Sequence, residues 1–280
     1  MKKIITYLIL VIFIIAGILF FLTRVPAVQD ALFQRLAQNL ISTAPNIFPE
    51  EDSLSALVCG SKSPLPHPTR AETCVMIKAG EETFIFDVGN RGIDNLRNWR
   101  VPLTQLNGIF ISHLHSDHIA ELPEIHMWNW VGTGRQSKLK VYGPEGINQV
   151  LNGFTEAYSL DWKYRNDHHG DQFAPLKAAG FDGYEITDFS EPVYESNGIV
   201  ITAFLVDHKP IDPSLAFKIE YKGRSIVLSG DTVFSEAILN NSKNVDVLFH
   251  EAFHKGTLDM MYNALPEISS SRIAIVDIQN

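Results

Sequence analysis

The sequence predicts a mixed α/β (α+β) domain behind an N-terminal apolar helix, and three observations carry that prediction. A length of 280 residues, 45% of them hydrophobic, suffices for one sizeable core and a short appendage. From residue 54 onward, short β-rich runs alternate with longer runs of helical periodicity. At the N-terminus, Lys2 and Lys3 precede an uncharged apolar stretch over residues 4–22. The expected organisation is therefore a transmembrane signal anchor over 1–23, an amphipathic connector and linker over 24–53, and a globular domain over 54–280.

The apolar stretch is close to the length a helix needs to cross a bilayer. A cleaved leader has a shorter apolar core of roughly 7–15 residues and a small-residue cleavage site, which Val25-Pro26-Ala27 represents poorly. An uncleaved anchor is the expectation and a cleaved leader the alternative. The two lysines place the N-terminus in the cytoplasm and the domain outside it. Leu32, Phe33, Leu36 and Leu40 then recur at helical spacing over 28–41, and residues 42–53, with Pro45 and Pro49, read as linker.

The globular part opens with a strand over 54–59 and a loop, Gly60-Ser61-Lys62-Ser63-Pro64, which lacks the Gly-Lys-Ser/Thr order of a phosphate-cradling loop. Residues 73–78 and 83–88 form a hairpin around Ala79-Gly80-Glu81-Glu82. Helices are expected over 119–130 and 144–158, and strands over 139–143, 198–206, 215–221, 225–228 and 245–249. His126 reads as a packing residue, and His168 and His169 as solvated histidines of a polar loop. Only Cys59 and Cys74 occur, so no disulfide framework or thiolate metal site is expected. They read as two small buried residues, with pairing as the alternative for an exported domain.

The chemistry concentrates where an apolar run over 108–112 empties into His113, His115, Asp117 and His118. If 108–112 is a buried strand, its two-residue period keeps His113 and His115 on one side. Asp117 can then cap a helix beginning at His118. Neutral imidazoles and a carboxylate converging on one point suit a divalent ion such as Zn²⁺. Two further strand ends deliver similar groups: Asp207-His208-Lys209-Pro210 and Ser229-Gly230-Asp231-Thr232. A third ends in His250-Glu251-Ala252, and Asp87 closes the run Phe86-Asp87-Val88.

The His-x-His-x-Asp-His arrangement resembles the signature of metallo-β-lactamase-fold hydrolases, and the flanking sequence is most similar to their ribonuclease Z-like and arylsulfatase-like branch. The resemblance runs from about residue 57 to the C-terminus. It implies an αββα four-layer sandwich of two mixed sheets flanked by helices, with one or two metal ions at the sheet edge. By that resemblance His113, His115 and His208 hold one ion, Asp117 and His118 the other, and Asp231 bridges them. Asp87 supports the histidines from behind. Zinc leads among candidate ions because every donor is N or O, with manganese or iron as alternatives. Hydrolysis by a metal-bound hydroxide is the implied reaction. Asp117 orients the water or takes its proton, and His250 with Glu251 protonates the leaving group.

Lys62 departs from the glycine usual at its position in this branch. The branch also normally continues to a further strand-end histidine, so the chain reads as C-terminally incomplete. His254, four residues after His250, is a weak substitute. The tRNA-processing members carry their tRNA-gripping arm between the third histidine and the bridging aspartate, whereas residues 208–231 here fit a single hairpin. A net charge of −9 also works against gripping a nucleic acid backbone. The expected substrate is a small phosphodiester, sulfate ester or related ester, with the membrane contacted through the N-terminal helix. The rival readings are a ribonuclease Z-like tRNA 3′-processing endonuclease and a membrane-tethered metal-binding relic without turnover.

Overall fold

The computed structural model describes residues 2–29, 31–32, 35, 48–49, 52–103 and 106–252. Two compact units are present, Met1–Asn46 and Ile47–Asn280. In the first, α1 runs without interruption over Lys2–Leu22. Among the described residues no helix is long and apolar enough to cross a membrane. The expected transmembrane helix is therefore not among the elements shown; several side chains of α1 lie outside the described residues, and its apolar length is a property of the full sequence. The expected connector over 28–41 falls largely outside the described residues, as does His254.

The second unit contains two mixed sheets. One has the order β1-β2-β3-β4-β5-β6, formed by Leu54–Gly60, Cys74–Ala79, Glu82–Phe86, Leu106–Phe110, Leu139–Gly143 and Phe181–Glu185. Strands β1 to β3 pair antiparallel and β3 to β6 parallel. The other sheet has the order β11-β10-β9-β8-β7, formed by Val247–Phe249, Arg224–Leu228, Ile211–Tyr221, Ile199–His208 and Tyr194–Ser196. There only the β10/β11 pair is parallel.

Alternation along the strands explains the layering, since successive side chains leave a strand on opposite faces. Ile85, Ile109 and Ile111 face one way, into a core shared with Ile93 and Leu96 of α2 (Gly92–Asn98). Leu122, Ile125 and Trp130 of α4 (Leu122–Thr133) and Leu151 and Trp162 of α5 (Ile147–His169) complete that core. Phe84, Phe86 and Phe110 face the other way and meet Ile201, Leu215, Phe217 and Ile219 of the second sheet. Phe110 is central there, stacked on Phe86 at 5.0 Å and on Tyr142 at 4.7 Å, with Phe217 edge-on at 5.6 Å. Ala216 and Val227, on the far face of the second sheet, pack on Ile238 of α6 (Glu236–Asn241). The layers are thus helix, sheet, sheet, helix, as the resemblance implies.

Several expectations need correction. The helix placed over 144–158 continues to His169, so His168 and His169 form its last turn instead of a loop. Strands β6 and β7 were not expected, because Phe181–Glu185 is interrupted by Gly183 and exposed along much of its length, and β7 spans only Tyr194–Ser196. Cys59 and Cys74 are joined in a disulfide instead of standing as separate buried thiols. The antiparallel register of β1 on β2 pairs Gly60 with Cys74, and this brings the two Cα atoms within 5.0 Å. The residues are 15 apart in sequence. A cross-link of that span restricts the unfolded chain by about 3 kcal/mol. The C59S/C74S variant should therefore lose stability of about that size in urea unfolding; a midpoint equal to that of the oxidised wild type would contradict a folded-state disulfide.

Candidate metal centre

The site forms where four strand ends and one short helix meet. Parallel pairing of β3 and β4 sets Phe86 beside Phe110, so Asp87 and Ser112 emerge side by side. The Asp87 N–H donates to the Phe110 carbonyl at 2.8 Å. Asp87 adopts a left-handed φ of 57°, which turns its carboxylate back under the following segment. That carboxylate accepts three hydrogen bonds: from the Ser112 N–H at 2.8 Å, from Ser112 Oγ–H at 2.8 Å and from His118 Nδ1–H at 2.9 Å. Ser112 Oγ in turn accepts from His113 Nδ1–H at 3.1 Å. With Nδ1–H engaged in both rings, Nε2 is the nitrogen of His113 and His118 left for a metal.

The short helix α3 (Ser116–Ile119) carries Asp117 and His118. It is locked to the strand end by Val88 N–H donating to the His118 carbonyl and Glu121 N–H to the Val88 carbonyl, at 2.8 and 2.9 Å. Gly89 is needed there: a Cβ at that position would lie 2.2 Å from the Asp117 carbonyl oxygen. Two details of the sequence reading change. His115 occupies the N-cap position and Asp117 lies in the first turn, so Asp117 is not the cap. β4 ends at Phe110, so His113 and His115 are brought together by the loop that follows and not by strand periodicity.

His113, His115 and His208 converge, and so do His113, His118 and Asp231. His113 Nε2 is 2.9 Å from His115 Nδ1, which is 3.5 Å from His208 Nε2. Two ligands on a tetrahedral zinc keep roughly 3.3 Å between them. His118 Nε2 lies 3.6 Å from Asp231 and 3.7 Å from Asp117, and His208 Nε2 lies 3.9 Å from Asp231. All six residues expected to hold metal are therefore brought to one place.

His118 Nε2 is buried and has no hydrogen-bond partner among the described residues. A buried polar atom left this way costs free energy that a cation would recover. The electrostatics agree. Burial disfavours a charge on His118 but is outweighed by Asp87 and Asp231, which lift its pKa to about 11. Burial and the neighbouring His118 charge lower His113 to about 3, and burial likewise lowers His208. Burial works to raise Asp231, yet His118, His113 and His208 hold its carboxyl below the ordinary range. The pocket thus holds positive charge on His118 by the fields of Asp87 and Asp231, and a divalent ion fits the donor set.

His250 and Glu251 line the same cleft, which has a volume of about 380 Å³. Their mutual arrangement differs from expectation: His250 Nδ1–H donates to the Glu251 backbone carbonyl at 2.7 Å, not to its carboxylate. The carboxylate is turned instead to Thr232, accepting its N–H at 2.7 Å. Burial and then the Asp231 charge raise Glu251 to about 7. Ser112 was not singled out from the sequence, although its place directly before His113 was the available signal. Lys62 needs no left-handed backbone, since it is absent from the positive-φ residues; its ammonium bonds the Glu72 carboxylate at 2.7 Å.

A family profile described as Anti-Pycsar protein Apyc1 matches residues 58–273. Ribonuclease Z of Mycobacterium bovis (strain BCG / Pasteur 1173P2) is 31% identical over 204 residues, covering 72% of this chain and 71% of that protein. Among solved structures, the metallo-β-lactamase fold protein YhfI from Bacillus subtilis aligns with a TM-score of 0.54 at 18% identity, covering 70% of each chain. Zn²⁺-bound PqqB from Methylobacterium extorquens aligns with a TM-score of 0.52 at 12% identity, covering 80% of this chain and 81% of that one. With the two-sheet sandwich and the histidine-aspartate cluster at its edge, these matches agree: the chain belongs to the Anti-Pycsar protein Apyc1 family, among the ribonuclease Z-related hydrolases of the metallo-β-lactamase fold.

Proposed function

We propose that this protein is a zinc-dependent hydrolase of a small anionic ester, a phosphodiester or sulfate ester, tethered to a membrane by its N-terminal helix. The observation that carries the reading is the unpartnered, buried His118 Nε2 facing Asp117 and Asp231 beside the His113, His115 and His208 trio. Those six side chains would hold one or two ions, with manganese or iron as alternatives to zinc. A bound ion would lower the pKa of a water toward neutrality and stabilise charge on the attacked centre.

The chain's own groups have separate tasks. Asp87 and Ser112 fix the histidine tautomers. Asp117 lines the cleft and orients or deprotonates the attacking water. Glu251, with a pKa raised to about 7, is matched to giving a proton near neutrality. Its Oε1 accepts from Thr232, so Oε2 is the atom available to carry that proton. His250, whose Nδ1–H is given to the Glu251 carbonyl, would serve as the second donor from Nε2 only as the imidazolium.

A second reading, tRNA 3′ processing, has the name of the 31% identical relative in its favour. Against it, β9 and β10 fill the interval from His208 to Asp231, leaving no inserted arm there, and the net charge is −9. The membrane and export readings rest on the uncharged stretch over residues 4–22 in the continuous helix α1 and on the disulfide, a bond that persists in oxidising compartments. Retention of the full chain in the membrane pellet after alkaline carbonate washing is expected, and release to the supernatant would remove the tether.

The wild type should hydrolyse bis-p-nitrophenyl phosphate when supplied with zinc or manganese, and H115A should lose at least about 100-fold in kcat/KM. Activity that survives H115A would reject the site, and cleavage of a tRNA precursor in preference to small esters would favour the second reading. The pH dependence of zinc binding follows from His118. Its raised pKa means that the metal-free chain carries this proton, and the associated stability is full below the unfolded value of 6.5 and lost as pH rises through about 11. Zinc must displace that proton, so its affinity should rise about tenfold per pH unit across neutrality, with proton release seen by calorimetry in buffers of different ionisation enthalpy. D87N should weaken zinc binding by about 10–100-fold. Binding with no proton release would contradict the charge assignment.

A further inference from the structure

The cleft has a second set of polar lining residues that the hydrolytic scheme does not use: Ser61, Lys62, Ser63 and Arg70, all in the segment between β1 and β2. We infer that this segment is a pre-shaped arm for the anionic part of the substrate, with the Arg70 guanidinium as its ligand. The inference deepens the hydrolase reading by assigning charge selection to a named residue, and it rests on that reading for the identity of the reaction.

The arm is held at its base in four ways. The Cys59–Cys74 disulfide joins its two ends. The Ser61 and Lys62 N–H groups both donate to the Ala71 carbonyl at 2.9 Å. The Lys62 ammonium bonds Glu72, with both side chains only 11% exposed, and the other Glu72 oxygen accepts the Asn90 N–H at 2.9 Å. Gly60 permits the close approach, since a Cβ there would lie 1.6 Å from the Glu72 carbonyl oxygen. Further out, Pro64, Pro66 and Pro68 restrict φ at alternate positions. The turn that presents Arg70 is set by His67, whose Nδ1 accepts the N–H groups of Thr69 and Arg70 at 3.2 and 3.0 Å.

Charge then separates Arg70 from its neighbours. Asp87, Asp117, Asp231 and Glu251 line the cleft with carboxyl groups, and among the described lining residues its ammonium and guanidinium groups are those of Lys62 and Arg70. Lys62 is neutralised by Glu72. Arg70 is exposed and makes no ion pair among the described residues. A guanidinium fork matches two oxygens of a phosphoryl or sulfuryl group, and an arm already ordered loses little entropy on binding.

The test uses the full-length, zinc-loaded chain in detergent, with inorganic phosphate as the probe in titration calorimetry. R70A should weaken phosphate binding about tenfold or more, with R70K between it and the wild type, since lysine keeps the charge and loses the fork. Equal phosphate affinity in R70A and wild type, or no phosphate binding by the wild type at millimolar concentration, would overturn the inference. Turnover of bis-p-nitrophenyl phosphate by the wild type is scored apart. Weakened phosphate binding in R70A without wild-type turnover keeps the arm and removes the hydrolase. Unchanged phosphate binding with turnover does the reverse.

Discussion

The structure depends on one buried carboxylate, that of Asp87. It accepts from Ser112 twice and from His118 once, and so ties the end of β3 to the segment after β4 and to helix α3. Without it the Ser112 hydroxyl would have no reason to accept from His113, and His118 could expose either ring nitrogen. The parallel β3/β4 register brings the backbone of these residues together; Asp87 converts that proximity into imidazoles with fixed tautomers. A carboxylate so deep in the protein is costly unless fully hydrogen-bonded, and the three donors meet that condition.

Both faces of the first sheet serve the same end. The isoleucines that face the helices and the phenylalanines that face the second sheet hold β3 and β4 between two cores. The second sheet is then fixed against the first at the site itself, where the Leu215 N–H donates to the Ser112 carbonyl at 2.9 Å. His208 and Asp231 thereby arrive from a separate sheet at His113, His115, Asp117 and His118, the four residues carried on the loop and on α3. The carboxylates of Asp87 and Asp231 raise the His118 pKa, so the centre favours positive charge.

Much of this was legible in the sequence, because strand-end motifs announce themselves: an apolar run emptying into His, Asp or Gly-Asp is visible without coordinates. His113, His115, Asp117, His118, His208 and Asp231 were all singled out as candidate ligands that way. What escaped notice depends on contacts between distant segments. The Cys59–Cys74 bond follows from the β1/β2 register, and local patterning does not reveal which strands pair. The Glu251 carboxylate turns to Thr232 across 19 residues of sequence, whereas adjacency suggested His250 as its partner. Lys62 looked like a misfit where glycine is usual, and its reason is Glu72, on the far side of the loop. Strand β6 was missed because its side chains are largely exposed and carry no apolar alternation.

The central claim is that imidazoles from two sheets share one cation. X-ray absorption at the zinc edge of the reconstituted full-length chain tests it most directly. The account predicts a coordination sphere of nitrogen and oxygen only, with the multiple-scattering signature of several imidazoles. A sphere containing sulfur, or one with no more than a single imidazole, would contradict it.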